Sequence, residues 1–205
     1  MDFFFQILIL IMSIVIHEVS HGYAARHLGD RTAEYEGRLT LNPLKHLDPI
    51  GSLLVPLFSY ILGGFIIGWA KPVPYNPYNL RPGRWSEAIV AGAGPLSNIA
   101  IALIFGVLLR GALSGEVGWA SPAFIEITSI IVLINIILAV FNLMPVPPLD
   151  GSKILFALFP AHFTQFRAFF ERYGLVLLIF FVFFIWQLIF PLVVLLFSLI
   201  AGVPL

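Results

Sequence analysis

The chain has 205 residues, of which 60% are hydrophobic and only 11% are charged, and its mean hydropathy is +0.98. Soluble domains carry about 25% charged residues, so the composition excludes an ordinary soluble domain, a disordered chain and a nucleic-acid-binding protein. Eleven basic residues balance eleven acidic ones, and the absence of cysteine excludes disulfides and cysteine-ligated zinc. The predicted fold class is an all-α polytopic membrane protein.

Five hydrophobic segments are long enough to be candidate membrane spans. They are residues 3–25, 50–69, 89–109, 124–143 and 175–203. Pro191 interrupts the last segment, so residues 173–205 are predicted to form a hydrophobic hairpin or a kinked helix after a core at about residues 3–160. No accessory domain is predicted, and residues 1–205 are expected to form a single integral-membrane domain.

The distribution of Lys and Arg among the connections predicts an orientation. If all five segments cross the membrane, the two sides carry five and six basic residues. If residues 50–69 leave the membrane on the side from which they enter, the two sides carry ten and one. The positive-inside rule favours this second layout, with residues 50–69 as a re-entrant segment or an even number of crossings. The ten basic residues are then cytoplasmic, in a multi-pass protein of the cell membrane.

The first segment contains His17, Glu18 and His21, which form an H-E-x-x-H motif. On a helix the two histidines share one face and can bind one metal ion, while Glu18 is placed to take a proton from the attacking water. Roughly 0.004 such matches are expected by chance in a chain of this composition. Three ionisable residues in an apolar span are also costly unless they are functional, so the motif predicts a metal site.

A catalytic zinc usually has three protein ligands, so the two histidines need a partner. Asp150 is the main candidate, because three prolines end the fourth segment before it and Gly151 allows a tight turn after it. The same aspartate is also suited to cap a helix at residues 152–159. Spacing alone leaves both roles open.

Three sequence blocks occur together in this chain. They are H-E-x-x-H at residues 17–21, A-G-P-x-x-N at 93–98 and N-x-x-P-x-P-x-L-D-G at 142–151. In this order they resemble the site-2 protease family of intramembrane metalloproteases. The segments G-R-L-T-L-N-P at 37–43 and G-W-A-K-P-V-P at 68–74 resemble its small bacterial and archaeal branch, which has no PDZ or CBS domain.

The resemblance implies a site-2-protease-like helical core and one Zn²⁺ per chain, bound by His17, His21 and Asp150, with Glu18 activating the water. It also implies that the substrate is a membrane protein cleaved in or near its transmembrane helix, as in regulated intramembrane proteolysis. The expected partners are therefore this substrate and the lipid bilayer, and no nucleic acid is expected. The sequence makes no prediction of the oligomeric state.

Asn142 and two further asparagines are polar residues in or at the ends of apolar spans. Asn142 is suited to hydrogen-bond backbone carbonyls freed by the proline-rich break, whereas the resemblance suggests a contact to the substrate or to its oxyanion. Asn98 and Asn135 are expected to form interhelical hydrogen bonds, and Gly94 is expected to allow close helix packing.

Residues 37–42 show the alternation of a short β strand, bounded by glycine and by Asn-Pro. This membrane-associated β segment is expected either to form an interfacial loop or to pair with an unwound substrate, because strand addition supplies backbone partners for an extended peptide. The residues proposed for pairing are Gly37, Arg38, Leu39, Thr40, Leu41 and Asn42.

Two other functions are compatible with buried histidines and an aspartate. One is a metal-transporting or metal-sensing membrane protein, although transporters commonly show repeated halves and none is seen in this sequence. The other is a family member that binds zinc but does not cleave. The variant Glu18→Gln separates these classes, because a protease should lose cleavage and retain zinc.

Overall fold

The computed structural model describes residues 3–55, 58, 61, 70–114, 120–159 and 163–205. Within these residues the ordered elements are helical and no β strand is present. Among the described residues, four helices are long and apolar enough to cross a membrane: Phe5–His27, Ser86–Leu113, Pro122–Asn142 and Gln165–Ala201. The prediction of an all-α polytopic membrane protein is confirmed.

Seven α-helices are present in the described part of the chain. They are α1 (Phe3–His27), α2 (Thr32–Tyr35), α3 (Ser86–Leu113), α4 (Pro122–Asn142), α5 (Asp150–Leu158), α6 (Thr164–Phe180) and α7 (Trp186–Ala201). Short 3₁₀ turns lie at Pro43–Lys45 and Pro77–Asn79, and a π-helical turn lies at Pro49–Leu54. A second π-helical turn, Phe181–Ile185, joins α6 to α7, so the C-terminal hydrophobic run is helical throughout.

The ends of the spanning helices have identifiable partners. Ser121 caps α4, since its side chain accepts a hydrogen bond from the Phe124 N–H at 3.2 Å. Helix α7 ends at Gly202, whose φ of +78° suits glycine. The Arg110 guanidinium, at the end of α3, donates to the carbonyls of Leu199 and Ile200, which are near the end of α7. These bonds satisfy terminal carbonyls that have no partner within the helix.

Helix α3 lies at the centre of the bundle and contacts α1, α4, α5 and α7. Small residues permit this close packing, as is usual between membrane helices. At Gly106, for example, a Cβ atom would overlap Ile200 of α7. The main apolar core contains these buried side chains of α3, α4 and α7: Ala102, Leu109, Val132, Ile136, Val140, Val193, Phe197 and Ala201.

The connection between α1 and α3 leaves the bundle at one end and returns to it at the same end. The Arg81 N–H, near the start of α3, donates to the carbonyl of Leu28, just after α1, at 2.7 Å. Residues 28–85 therefore begin and end on one side, as the layout with ten basic residues on one side requires. The predicted membrane segment at residues 50–69 lies mostly outside the described residues.

Residues 37–42, predicted as a short β segment, form no strand, so that element of the predicted fold is wrong. Gly37 turns the chain after α2 with a φ of +63°. The Arg38 N–H donates to the carbonyl of Ala33 in α2 at 2.9 Å, and His46 Nε2 donates to the Thr40 carbonyl at 2.8 Å. The segment is held by these local bonds rather than by a neighbouring strand.

Candidate metal centre

Three side chains from two helices meet at one point in the bundle. His17 and His21 lie one turn apart on α1, and Asp150 is the first residue of α5. The Oδ2 atom of Asp150 lies 3.2 Å from the Nε2 atom of each histidine. The three residues are only 5%, 8% and 8% exposed, respectively. The structure thus brings together the three ligands that the sequence predicts.

The other nitrogen of each imidazole faces an oxygen acceptor. His17 Nδ1 lies 2.6 Å from Asn98 Oδ1, and His21 Nδ1 lies 2.7 Å from the carbonyl oxygen of Val90. Because these oxygens accept hydrogen bonds, each Nδ1 carries the hydrogen of the neutral ring. Each Nε2 therefore has a free lone pair directed toward Asp150.

This donor set fits a zinc ion. In the neutral tautomers described above, two Nε2 lone pairs and a carboxylate oxygen converge without a hydrogen between them, and such an arrangement is favourable around a cation. Ligand atoms at zinc's usual tetrahedral bond lengths lie about 3.3 Å apart. The two observed distances of 3.2 Å agree with that spacing.

Gly94 of α3 leaves room in front of the two histidines. A Cβ atom at this position would lie 2.5 Å from the Nε2 atoms of both His17 and His21. Glycine is therefore required by the site itself, whereas the sequence suggested only close helix packing. No local pattern distinguishes these two reasons for a glycine in an apolar helix.

The start of α5 positions Asp150. A Cβ atom at Gly151 would overlap the carbonyl groups of Leu143 and Met144, so glycine lets α5 begin directly against the end of α4. The residue before α5 is Leu149, and it makes no side-chain cap. The carboxylate of Asp150 contacts the histidines instead of capping the helix, which argues against the capping alternative.

Glu18 faces the connection between α1 and α3. Its Oε2 atom accepts a hydrogen bond from the Val73 N–H at 2.9 Å. The same connection packs closely on α1 at Gly22, where a Cβ atom would lie 2.5 Å from Leu39 Cδ2 and 2.8 Å from Val73 Cγ1. The carboxylate is thus held by the backbone of a segment distant in sequence.

Two buried side chains anchor that segment on either side of Val73. The Arg38 guanidinium donates to the carbonyls of Lys71 at 2.8 Å and Pro72 at 3.3 Å. Asp30 accepts from the Asn76 N–H at 2.7 Å. The sequence analysis assigned no anchoring role to either residue, because the contacts join positions more than thirty residues apart.

Asp30 is almost fully buried and makes four hydrogen bonds. Besides Asn76, its carboxylate accepts from the N–H and the hydroxyl of Thr32 and from the side-chain amide of Asn79. Burial by itself raises the pKa of this carboxyl group, but the hydrogen bonds outweigh that effect and hold the pKa below its usual value. The connection therefore contains a stably ionised carboxylate.

Asn142 lies at the C-terminal end of α4, outside the group of ligand atoms. Its Nδ2 atom donates to the carbonyl of Leu138 at 2.9 Å, within the same helix. The Leu138 carbonyl lies inside the helix, so a bond from Asn142 to a carbonyl freed by the prolines stays a prediction. A contact to the oxyanion also stays a prediction.

Comparison with known proteins identifies the family. Residues 111–185, which include Asp150 but not the H-E-x-x-H motif, match the model of peptidase family M50. "Putative zinc metalloprotease YwhC" of Bacillus subtilis (strain 168) is 39% identical over 175 residues, covering 84% of this chain and 77% of that protein. A similarly named protein of Methanocaldococcus jannaschii, MJ0611, is 31% identical over 162 residues, covering 74% of this chain and 72% of its own length.

A third relative, Rip2 of Mycolicibacterium smegmatis, is 35% identical over 147 residues, which are 71% of this chain but 53% of that protein. No solved structure gives a significant match. The identity to YwhC extends over most of both chains, and the converging His and Asp side chains are those that the motifs indicated. The chain therefore belongs to peptidase family M50, the site-2 protease family of metalloproteases.

Proposed function

We propose that this chain is an intramembrane zinc protease that hydrolyses a peptide bond in or near the transmembrane segment of a membrane-protein substrate. The protease class follows from the family, and the proposal adds the metal, its ligands and the substrate class. The observation that carries it is the convergence of His17, His21 and Asp150, with Oδ2 at 3.2 Å from both Nε2 atoms. This group is buried between α1, which is long and apolar enough to span a membrane, and the start of α5.

One zinc ion per chain, held by these three residues, is the proposed cofactor. Three observations support zinc: the two imidazole nitrogens and one carboxylate oxygen, the 3.2 Å distances between them, and the name "zinc metalloprotease" of the relatives. When bound, zinc would polarise the scissile carbonyl and make a water molecule more acidic. Three protein ligands leave one tetrahedral position for that chemistry, as in other catalytic zinc sites.

Glu18 is the proposed general base. Because the Val73 N–H holds Oε2, the carboxylate has a defined orientation, and Oε1 is the atom proposed to take the proton from the attacking water. The same carboxyl group then gives the proton to the leaving amine. Glu18 lies on the same helix as the two histidines, so its backbone is fixed relative to theirs.

Asn142 is proposed to stabilise the oxyanion of the transition state. Its Nδ2 group has two hydrogens, and the bond to Leu138 uses one of them. The second hydrogen is the one proposed to reach the developing negative charge.

The substrate helix must be extended before cleavage, because a helix keeps its carbonyls in internal hydrogen bonds. Residues 37–42, which form a loop in this structure, are proposed to pair with the extended form as a strand only when the substrate binds. Arg38 and Thr40 already use backbone groups within the chain, so Leu39 and Leu41 are the residues proposed to bond the substrate. Alternate residues of a strand bond to the same neighbour, which is consistent with this pair.

The cell membrane is the proposed location, with the metal centre toward the cytoplasmic side. The support is the predicted placement of ten basic residues in connections on that side and one on the other. His17 and His21 lie in the half of α1 that leads into the first of these connections.

The test uses the purified full chain in lipid vesicles with a membrane protein that contains one transmembrane helix and a reporter. The wild type should cleave it, and Glu18→Gln should abolish cleavage without releasing zinc, because the amide keeps its size but cannot take a proton. Glu36→Gln, at an exposed glutamate, is the control and should cleave normally. Normal cleavage by Glu18→Gln would overturn the mechanism, and zinc without cleavage in the wild type would indicate a non-cleaving member.

A further inference from the structure

A chain of hydrogen bonds leads from His17 into the helix core, away from Asp150. His17 Nδ1 lies 2.6 Å from Asn98 Oδ1 on α3, and Asn98 Nδ2 donates to Asn135 Oδ1 on α4 at 2.8 Å. Asn135 Nδ2 in turn donates to the hydroxyl oxygen of Ser13 on α1 at 3.0 Å. Both asparagines are completely buried. One polar network therefore joins three membrane helices to a ligand of the metal centre.

Two backbone carbonyls support one direction for the bonds in this network. Asn135 Nδ2 also donates to the Ile131 carbonyl at 2.9 Å, and Asn98 Nδ2 lies 3.4 Å from the Ser13 carbonyl. A carbonyl only accepts, so each of these carbonyls favours the orientation in which the amide nitrogen faces it. The oxygen of Asn135 then faces Asn98, and the oxygen of Asn98 faces His17. This orientation places the His17 hydrogen on Nδ1 and leaves Nε2 free.

Asn135 is the strongest support for the orientation of Asn98. Without the acceptor at Asn135, Asn98 Nδ2 would keep only its long contact to the Ser13 carbonyl. A buried amide that loses its partner is destabilised, and reversal of the amide would present its NH₂ group to His17. The hydrogen of His17 would then move to Nε2, where it blocks the lone pair that a metal needs.

We propose that Asn135 is a positioning residue of the metal centre. It acts through Asn98, holding the amide in the orientation that keeps His17 Nε2 free and its ring in place for zinc. The proposal rests on the proposed zinc site and is independent of proteolysis. Hydrogen-bond partners of metal-binding histidines typically change metal affinity by about 10- to 100-fold when they are lost. Because Asn135 is one hydrogen bond further from His17, its loss is expected to weaken zinc affinity by about tenfold.

The experiment measures the zinc dissociation constant of the purified full chain by competition with a chromogenic chelator. Asn135→Ala and Asn135→Leu are each compared with the wild type, and leucine keeps the volume of the side chain without its hydrogen bonds. Both variants should bind zinc about tenfold more weakly. Thr128→Val is the control, since Thr128 is equally buried and lies two turns earlier on α4, and its affinity should equal that of the wild type.

A second readout is the hydrogen position on His17, measured by ¹⁵N NMR of the zinc-free protein, with a His17 variant to assign the signal. The wild type should carry the hydrogen on Nδ1, and the Asn135 variants should show an increased Nε2–H population. Wild-type affinity in Asn135→Leu with an unchanged tautomer would overturn the proposal and leave Asn135 with a packing role. Failure of the wild type to bind zinc would instead overturn the proposed metal site itself.

If Asn135→Ala does not fold, Ser13→Ala gives the deciding measurement, because it removes only the hydroxyl that Asn135 donates to. It should weaken zinc binding by a smaller factor than Asn135→Leu. Equal zinc affinity in Ser13→Ala and the wild type would contradict the proposal.

Discussion

Two regions of the molecule hold the side chains of the H-E-x-x-H motif. One is the helix bundle, called the helix side, and the other is the irregular connection between α1 and α3, called the connection side. On the helix side, Asn98 and the Val90 carbonyl hold the two imidazoles within the buried centre of the bundle. On the connection side, the backbone N–H of Val73 holds Glu18, and that backbone belongs to an irregular segment anchored by Arg38. The proposed metal binding and the proposed proton transfer thus depend on different parts of the chain, and mutations should separate them.

The largest effect is expected on the helix side, at Gly94. In Gly94→Ala the new methyl group would lie 2.5 Å from both Nε2 atoms, so zinc binding and cleavage should both be abolished. Gly92→Ala is a matched control on the same helix, because its methyl group would meet its nearest neighbour, Ile154 Cδ1, at 4.0 Å. Zinc content and cleavage are measured for both, and tight zinc binding by Gly94→Ala would contradict the geometry.

The two histidines and Glu18 were predictable from the sequence because their spacing is local, whereas spacing left the role of Asp150 open and the family resemblance supplied it. His17, Glu18 and His21 lie within one helical turn, and the proline-rich segment before Asp150 marks the end of a span. The roles of Gly94 and Asn135 depend on how each helix is rotated about its axis. Membrane helices that are apolar on every side carry little periodic signal for that rotation, so these roles required the structure.

The connection side was the least predictable region. Residues 37–42 alternate like a strand, but the turn at Gly37 and the bond from His46 to Thr40 hold them as a loop. The anchoring of residues 71–79 by Arg38 and Asp30 joins positions that no spacing rule connects. Sequence periodicity reports which side of an element is buried, and it does not report hydrogen bonds between irregular segments.

A large effect confined to catalysis is expected at Asn142. If its amide donates to the oxyanion, Asn142→Ala should lower kcat by roughly a hundredfold or more, equivalent to on the order of 3 kcal/mol, with little change in KM. The zinc content of Asn142→Ala should equal that of the wild type, because Asn142 is not one of the proposed zinc ligands. An increase in KM at unchanged kcat would assign Asn142 to substrate docking instead.

A smaller, also catalytic effect is expected on the connection side. Arg38→Ala removes the bonds to the carbonyls of Lys71 and Pro72, which loosens the backbone that holds Glu18. We expect kcat to fall by about tenfold, since misplacement of a reacting group by a fraction of an ångström has effects of this order. Zinc affinity should not change, and exposed Arg31→Ala serves as the control. Loss of zinc in Arg38→Ala would show that the two sides are not independent.

The smallest effect is a dependence of stability on pH at Asp30. Because the folded protein lowers the pKa of Asp30, its ionised form stabilises the fold above the unfolded value of about 3.9, and this contribution is lost as the pH falls below it. Asp30→Asn should be less stable than the wild type by about 1–3 kcal/mol at neutral pH, and the difference should shrink near pH 3. Thermal unfolding at both pH values measures it, and a difference that does not change with pH would contradict this assignment.

The zinc content of the wild type and of Asp150→Ala tests the central claim most directly. With His17, His21 and Asp150 as the ligands, the purified wild type should hold one zinc per chain, and Asp150→Ala should lose most of it because only two protein ligands remain. Asp48→Ala, in the connection, is the control and should keep its zinc. Full zinc occupancy in Asp150→Ala would contradict the proposed metal centre.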